Sequence, residues 1–270
     1  MSFYTSLNGM KNAQTSLGVI AHNIANSETY GFKRSRTEFS EIVAASALTN
    51  PKMIQGIGAS VEAINQNFSL GPVEQTGSAL DLAITGDGFF TTRSPLDGTT
   101  LYTRAGSFQL TGAGNIVDNS GNRLQLLPVD AAGQVTGSTI SDAAVPVQNA
   151  AGSPFVGVTV DKAGVVQASY ADGTVVPVGA VALATFVSPG GLKKVGQASW
   201  ESTGLSGVAA YGAPGSGPYG AMLSGALERS NVDIAEELVG LITAQRNFQA
   251  NAKAIDTATQ VSQTVINLRT

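Results

Sequence analysis

Apolar residues recur at helical spacing at both ends of this chain and at strand spacing between them. Near the N-terminus Phe3, Met10, Leu17 and Ile24 fall every seven residues, with Ala13 and Ile20 between the later ones. Near the C-terminus Ile234, Leu241, Phe248 and Ile255 repeat every seven. Leu238, Ala252, Thr259 and Ile266 fill an alternate row, with Gln245 as a polar member of the seam. Such spacing draws one apolar stripe along a helix, and the stripe needs a partner helix to cover it. The pattern predicts helices over about Phe3–Ser27 and Asp233–Leu268, the second opened by an Asp-x-x-Glu capping box at Asp233 and Glu236. Gly9 and Gly18 each weaken the first helix by roughly 1 kcal/mol relative to alanine, so its order depends on packing.

Between the ends the period changes. Residues 32–70 are irregular: a short helical piece over Phe39–Leu48, a break over Pro51–Gly58 and a strand over Ala59–Asn65 are expected. From Val73 to about Ser199 the signals are strands and turns. Leu80–Ser94 alternates apolar and polar residues up to a Gly86-Asp87-Gly88 turn, and Asp97-Gly98, Ser120-Gly121-Asn122 and Asp172-Gly173 mark hairpins. Val156–Val160, Val165–Tyr170, Val175–Val178 and Val181–Val187 form consecutive short strands. A Gly- and Ser-rich return path over Thr203–Gly225 lies within an uncharged run from Ser202 to Ala226. The expected fold is α+β, with paired, coiled-coil-like terminal α-helices enclosing an inserted β-rich domain. Residues 1–30 and 230–270 form the helical domain and 31–72 a connector. Residues 73–229 form the central β-rich domain, with at most a small outer insertion near 128–154.

Composition narrows the function. Only 13% of residues are charged, while 43% are hydrophobic and 32 are glycine, which suits a surface covered by neighbours. A net charge of −4 argues against nucleic acid, which needs a basic footprint. The basic cluster Lys33, Arg34 and Arg36 is assigned to a solvated stretch. Cysteine is absent and His22 is the sole histidine, so thiolate and multi-histidine metal sites and Cys-His pairs are excluded. Gly86-Asp87-Gly88 lacks the Lys-Ser/Thr of a phosphate loop. Glu236 and Glu237 point about 100° apart on a helix, poorly placed for paired-carboxylate chemistry and well placed to complement the helix start. No catalytic residue, cofactor, metal, nucleic acid or small-molecule substrate is expected. Pro177 and Pro189 interrupt the uncharged stretch Gly173–Leu192, which favours strands over a membrane span. The N-terminus lacks the pattern of a cleaved secretory signal, so export would proceed without one.

Three separated segments resemble the bacterial flagellar axial proteins, the family of rod and hook subunits. They are VIAHNIANSETYGFKRSRTEF at Val19–Phe39, LDLAITGDGFF with LYTRAGSFQLTGAGNIVDNSGNRL within Leu80–Leu124, and the long run from Gly225 to Arg269. The opening MSFYTSLNGM, the ending VINLR and the segments LATFVSPGGLKKVG and GALERSNVD look more like the hook branch. The chain departs from that branch in its short middle, where only Pro128–Pro154 is available for an outer domain. The resemblance implies a hook subunit that polymerises into a flexible, torque-transmitting helical tube, with a distal rod subunit as the alternative and an extracellular β-rich adhesin as a third reading.

The partners this implies are copies of the chain itself, a distal rod protein below, a hook–filament junction protein above, a hook cap protein during assembly and the flagellar type III export apparatus. The expected assembly interface comprises Phe3, Leu7, Met10, Leu17, Ile20, Asn23, Ile24 and Asn26 with Ile234, Leu238, Leu241, Gln245, Arg246, Phe248 and Ile255. Gly31, Phe32, Gly86 and Gly88 are the expected turn and connector residues.

Overall fold

The computed structural model describes residues 2–43 and 56–267. The chain folds into two compact units, each assembled from separated segments. Unit 1 comprises Met1–Ser27, Arg34–Asn67 and Val232–Thr270, and unit 2 comprises Glu28–Lys33 and Phe68–Asn231. Two terminal helices and a β-rich body match the α+β expectation. Among the described residues no helix is long and apolar enough to cross a membrane.

Unit 1 contains helix α1 (Ser2–Ala25), helix α2 (Ile234–Asn267) and an antiparallel hairpin of strands β1 (Ser35–Val43) and β2 (Gly56–Gln66). The helices run antiparallel: Asn23 meets Glu237, Ile20 lies against Gly240, and Gly9 faces Asn251. The helical piece expected over Phe39–Leu48 is not found where the structure describes it, since Phe39–Val43 belongs to β1; residues 44–48 lie outside the described residues, as does most of the expected Pro51–Gly58 break. Strand geometry suits the β-branched residues of Ser35–Val43, and its register against β2 shifts after Glu38 and Ile42, where Glu62 and Ile57 of β2 are the extra residues. The strand expected at Ala59–Asn65 is found within β2.

Unit 2 holds the large core. Its sheet runs, in spatial order, through Phe155–Val160, Val165–Tyr170, Val175–Val181, Arg123–Leu127, Phe89–Arg93, Thr100–Thr103, Ser199–Glu201 and Lys193–Gly196, every neighbouring pair antiparallel. Strand Phe89–Arg93 is buried on both faces, so its two leading aromatics serve two cores. Phe90 joins Leu82, Ile84, Phe108, Ile116 and Leu183. Phe89 packs edge-on with Trp200 and Phe68, ring centroids 5.7 and 5.4 Å away.

One turn recurs through unit 2. At Thr111, Asp118, Asp130, Asn149 and Asp161 the residue three positions on is a glycine at φ of 79–83°, and its N–H donates to the first residue's carbonyl. The first side chain accepts the N–H of the residue just after that glycine in each case, as Asp161 does for Val165 at 2.9 Å. An Asp, Asn or Thr followed at the fourth position by glycine satisfies this loop locally, and each copy folds the chain back on itself.

Candidate assembly interface

Unit 1 has almost no core of its own. Among its described residues the buried hydrophobic side chains are Ala13 and Ala244, and the buried polar ones are Asn23, Ser35 and Glu237. Small residues let α1 and α2 approach closely: a Cβ on Gly9 would lie 2.5 Å from Asn251 Oδ1. The glycine that weakens α1 in isolation therefore admits its partner, whereas a Cβ on Gly18 would meet nothing within 4 Å outside its own helix backbone.

The α2 face turned to α1 is built on Glu237, Ala244 and Asn251, with Leu241, Phe248 and Ile255 half-buried at the intervening positions. The second row of the seam thus lies one residue earlier than expected. Gln245 is exposed and is not a seam residue; Leu238 and Thr259 are exposed too, and Ala252 is half-buried. One residue is about 100° of rotation, enough to turn Leu238 out of the seam. Ile234, Leu238, Val239 and Ile242 consequently present a contiguous apolar patch, each at 45–65% exposure. Arg246 is exposed as well. On α1, Leu7, Met10, Leu17, Ile20 and Ile24 are half-buried, and Phe3 is exposed with its ring edge-on to Tyr4.

A polar knot ties the helices to the hairpin. Asn23 Nδ2 donates to Ser35 O at 2.8 Å while its Oδ1 accepts Ser35 N–H at 3.0 Å, a side chain imitating a strand partner. The same Nδ2 reaches Glu237 Oε2 at 3.2 Å. Arg34 pairs through Nε with Glu237 at 2.6 Å and through both terminal nitrogens with Glu236 at 2.8 and 2.9 Å. Hydrogen bonding to Glu236 raises the Arg34 guanidinium further above its ordinary value, and Arg34 in turn lowers the Glu236 carboxyl.

Two expectations are corrected by this knot. The capping box is half-formed, because Asp233 Oδ1 accepts Ala235 and Glu236 N–H groups but Glu236 is drawn to Arg34. Glu236 and Glu237, whose spacing sets them apart, converge on one guanidinium long enough to bridge them. Asn26 bonds back to His22 O at 2.8 Å, a local contact, and His22 is an exposed side chain. A groove of about 430 Å³ opens beside the knot, lined by Ile20, Asn23, Arg34, Glu237, Val239 and Ala244 among others.

The turn residues lie in unit 2. Gly31 sits at φ +69°, donates to Glu228 O at 2.8 Å, and would bring a Cβ within 2.3 Å of Ala105 N. Phe32 is buried, with Lys194 Nζ 4.5 Å above its ring, and burial lowers that ammonium below the ordinary lysine range. Gly86 and Gly88, at φ +124° and +130°, flank Asp87 in the turn that leads into Phe89–Phe90. The basic cluster is not a solvated stretch. Arg36 is exposed and Arg34 is in the knot, but Lys33 is only 1% exposed, its Nζ 2.5 Å from Glu228 Oε1 and 2.7 Å from Ser69 O. Glu228 Oε2 takes Arg104 at 3.3 Å, and Oε1 also accepts Gly71 N–H at 2.9 Å. Sequence reasoning missed this cluster because its members lie up to 195 positions apart. The sole cue was a glutamate within the otherwise apolar strand Ala226–Glu228.

Chain ends joined in one helical unit, with a β-rich unit between them in sequence, define an α+β protein whose helical unit exposes an apolar patch. Family comparisons agree in all three regions. Residues 3–33 match the flagella basal body rod protein model, 83–168 the flagellar hook protein FlgE/F/G D1 domain, and 223–268 the flagellar basal body rod FlgEFG protein C-terminal model. The flagellar basal-body rod protein FlgG of Bacillus subtilis (strain 168) is 38% identical over 280 residues, covering 99% of this chain and 98% of its own. FlgG of Caulobacter vibrioides is 36% identical, with 98% of each chain covered. The flagellar hook protein FlgE of Salmonella typhimurium is 25% identical over 411 residues, spanning all of both chains. The chain belongs to the flagellar basal-body rod and hook protein family. It is a structural protein of the flagellum.

Proposed function

We propose that this chain is a subunit of the distal rod of the flagellar basal body, polymerising with copies of itself into a stiff helical drive shaft. The hook reading gives way on length. The 38% identity over 280 positions and the 25% over 411 both amount to about 100 identical residues, so shared residues alone do not separate the branches. The rod proteins, however, align almost end to end, whereas 411 positions against 270 residues leave a large part of the hook protein without a counterpart here. This is the single observation that carries the proposal.

Self-association is supported by the thin core of unit 1 and the exposed patch at Ile234, Leu238, Val239 and Ile242. Export in an unfolded state through the type III apparatus suits a chain with no cysteine and with helices that are marginal alone. The junction and cap partners belonged to the hook reading and fall with it. The role is mechanical rather than catalytic. Deleting the gene in its host and imaging purified flagellar bases by electron microscopy tests the assignment. Bases truncated within the rod are expected; bases with a complete rod and no hook would overturn it.

A further inference from the structure

The cluster around Glu228 lies wholly within unit 2, and none of its members belongs to that unit's two hydrophobic clusters. It gathers the segments through which the chain enters and leaves that unit: Glu28–Lys33, Phe68–Pro72 and Glu228–Asn231. Glu228 binds Lys33, Arg104 and Gly71 through its carboxylate and Gly31 through its carbonyl. Around it Arg229 N–H donates to Pro72 O and Asn231 Nδ2 to Ser69 O, while Arg229 pairs with Glu28 at 2.6 Å. Polar contacts dominate where these segments meet one another. Phe32 is their one buried large apolar side chain, and half-buried Phe68 anchors its segment by packing 5.4 Å from both Phe89 and Trp200. The main core, from Leu82 to Met222, takes no residue from them.

The charges are unequal: two buried cations share one buried carboxylate. Arg104 has other support, donating to Gly86 O at 2.8 Å and lying over the Phe89 ring at 5.3 Å. Removing Lys33 would leave a balanced Arg104–Glu228 pair. Removing the charge of Glu228 would strand two cations away from water, the costlier error.

We infer that the Glu228 carboxylate is a latch that closes the three chain-crossing segments onto an already formed β-core, and that it can open locally while the core stays folded. The latch is independent of whether the subunit belongs to rod or hook. Segments held by a few polar contacts open at lower free energy than a packed core, and hydrogen exchange resolves the two.

The test is amide exchange of the full chain, followed by mass spectrometry, for wild type, Glu228→Gln, Glu228→Asp and Lys33→Met. Glu228→Gln should speed exchange over residues 28–33 and 69–72 by roughly tenfold or more while Leu82–Leu127 and Val165–Leu183 keep wild-type protection. Glu228→Asp keeps the charge on a shorter stem that cannot reach both cations, and should give a smaller rise over the same segments. It reports should the glutamine variant fail to fold. Lys33→Met should leave exchange near wild type. Unchanged exchange in both Glu228 variants would overturn the latch, as would acceleration spread evenly through the core.

Discussion

Gly31 meets two demands at once, a left-handed backbone and a neighbour too close for any side chain. Gly31→Ala should therefore destabilise unit 2 by about 1–3 kcal/mol in chemical unfolding, the usual cost of forcing a side chain into such a position; a change within error would show that the turn relaxes freely. Lys33 makes a different prediction. Burial lowers its ammonium below the ordinary lysine range, against the pull of Glu228 and with a smaller push from Arg104. A lysine lowered in the folded state contributes stability above its unfolded value of 10.5 and loses it as pH falls through the folded value. The stability difference between wild type and Lys33→Met should shift toward wild type as pH rises from neutral toward 10.5, measured by urea unfolding at each pH. A pH-independent difference would contradict the burial argument. Gly31 was legible in the sequence because a glycine at a helix exit has a local cause. Lys33 was not, because its partner is on a strand near the other end of the chain.

The helices show where periodicity succeeds and where it stops. Seven-residue repeats located α1 and α2 to within a few residues, since that signal depends only on the chain's own geometry. They did not fix which alternate row faces inward. Leu238 and Gln245 fit the repeat as well as Glu237 and Ala244, and apolar character favoured the wrong choice. The decision lies with Gly9 and Asn23 on α1, which accept Asn251 and Glu237 opposite them. The hairpin β1–β2 was half-legible: the core of β2 was expected as a strand, while the first part of the segment read as helix belongs to β1, and the pairing shifts register where Glu62 and Ile57 on β2 are extra. The five Asp/Asn/Thr-x-x-Gly turns were present in the sequence as a repeat, and only the shared fourth-position glycine would have revealed it. Leu241 and Phe248 lie on the half-buried face of α2. Replacing both with aspartate should abolish polymerisation, followed by sedimentation, while circular dichroism of the β-body is retained. Polymers of normal length would remove the helices from the assembly mechanism.

Taken whole, the molecule divides its stability unevenly. Unit 2 buries two hydrophobic clusters within an extended antiparallel sheet, whereas unit 1 buries two alanines and a knot of polar groups. Helices of 24 and 34 residues with so little buried apolar area are held weakly by their own chain, and most helical stability in proteins comes from tertiary packing. In a rod the missing core would come from neighbouring copies, so order in unit 1 and assembly become one event. Hydrogen exchange of α1 and α2, compared between isolated subunits and polymers of the same protein, tests this most directly. In the isolated subunit the helix amides should exchange far faster than the strands of unit 2, and in the polymer they should become protected to a similar degree. Helices already as protected in the isolated subunit as in the polymer would contradict the claim that assembly completes their core.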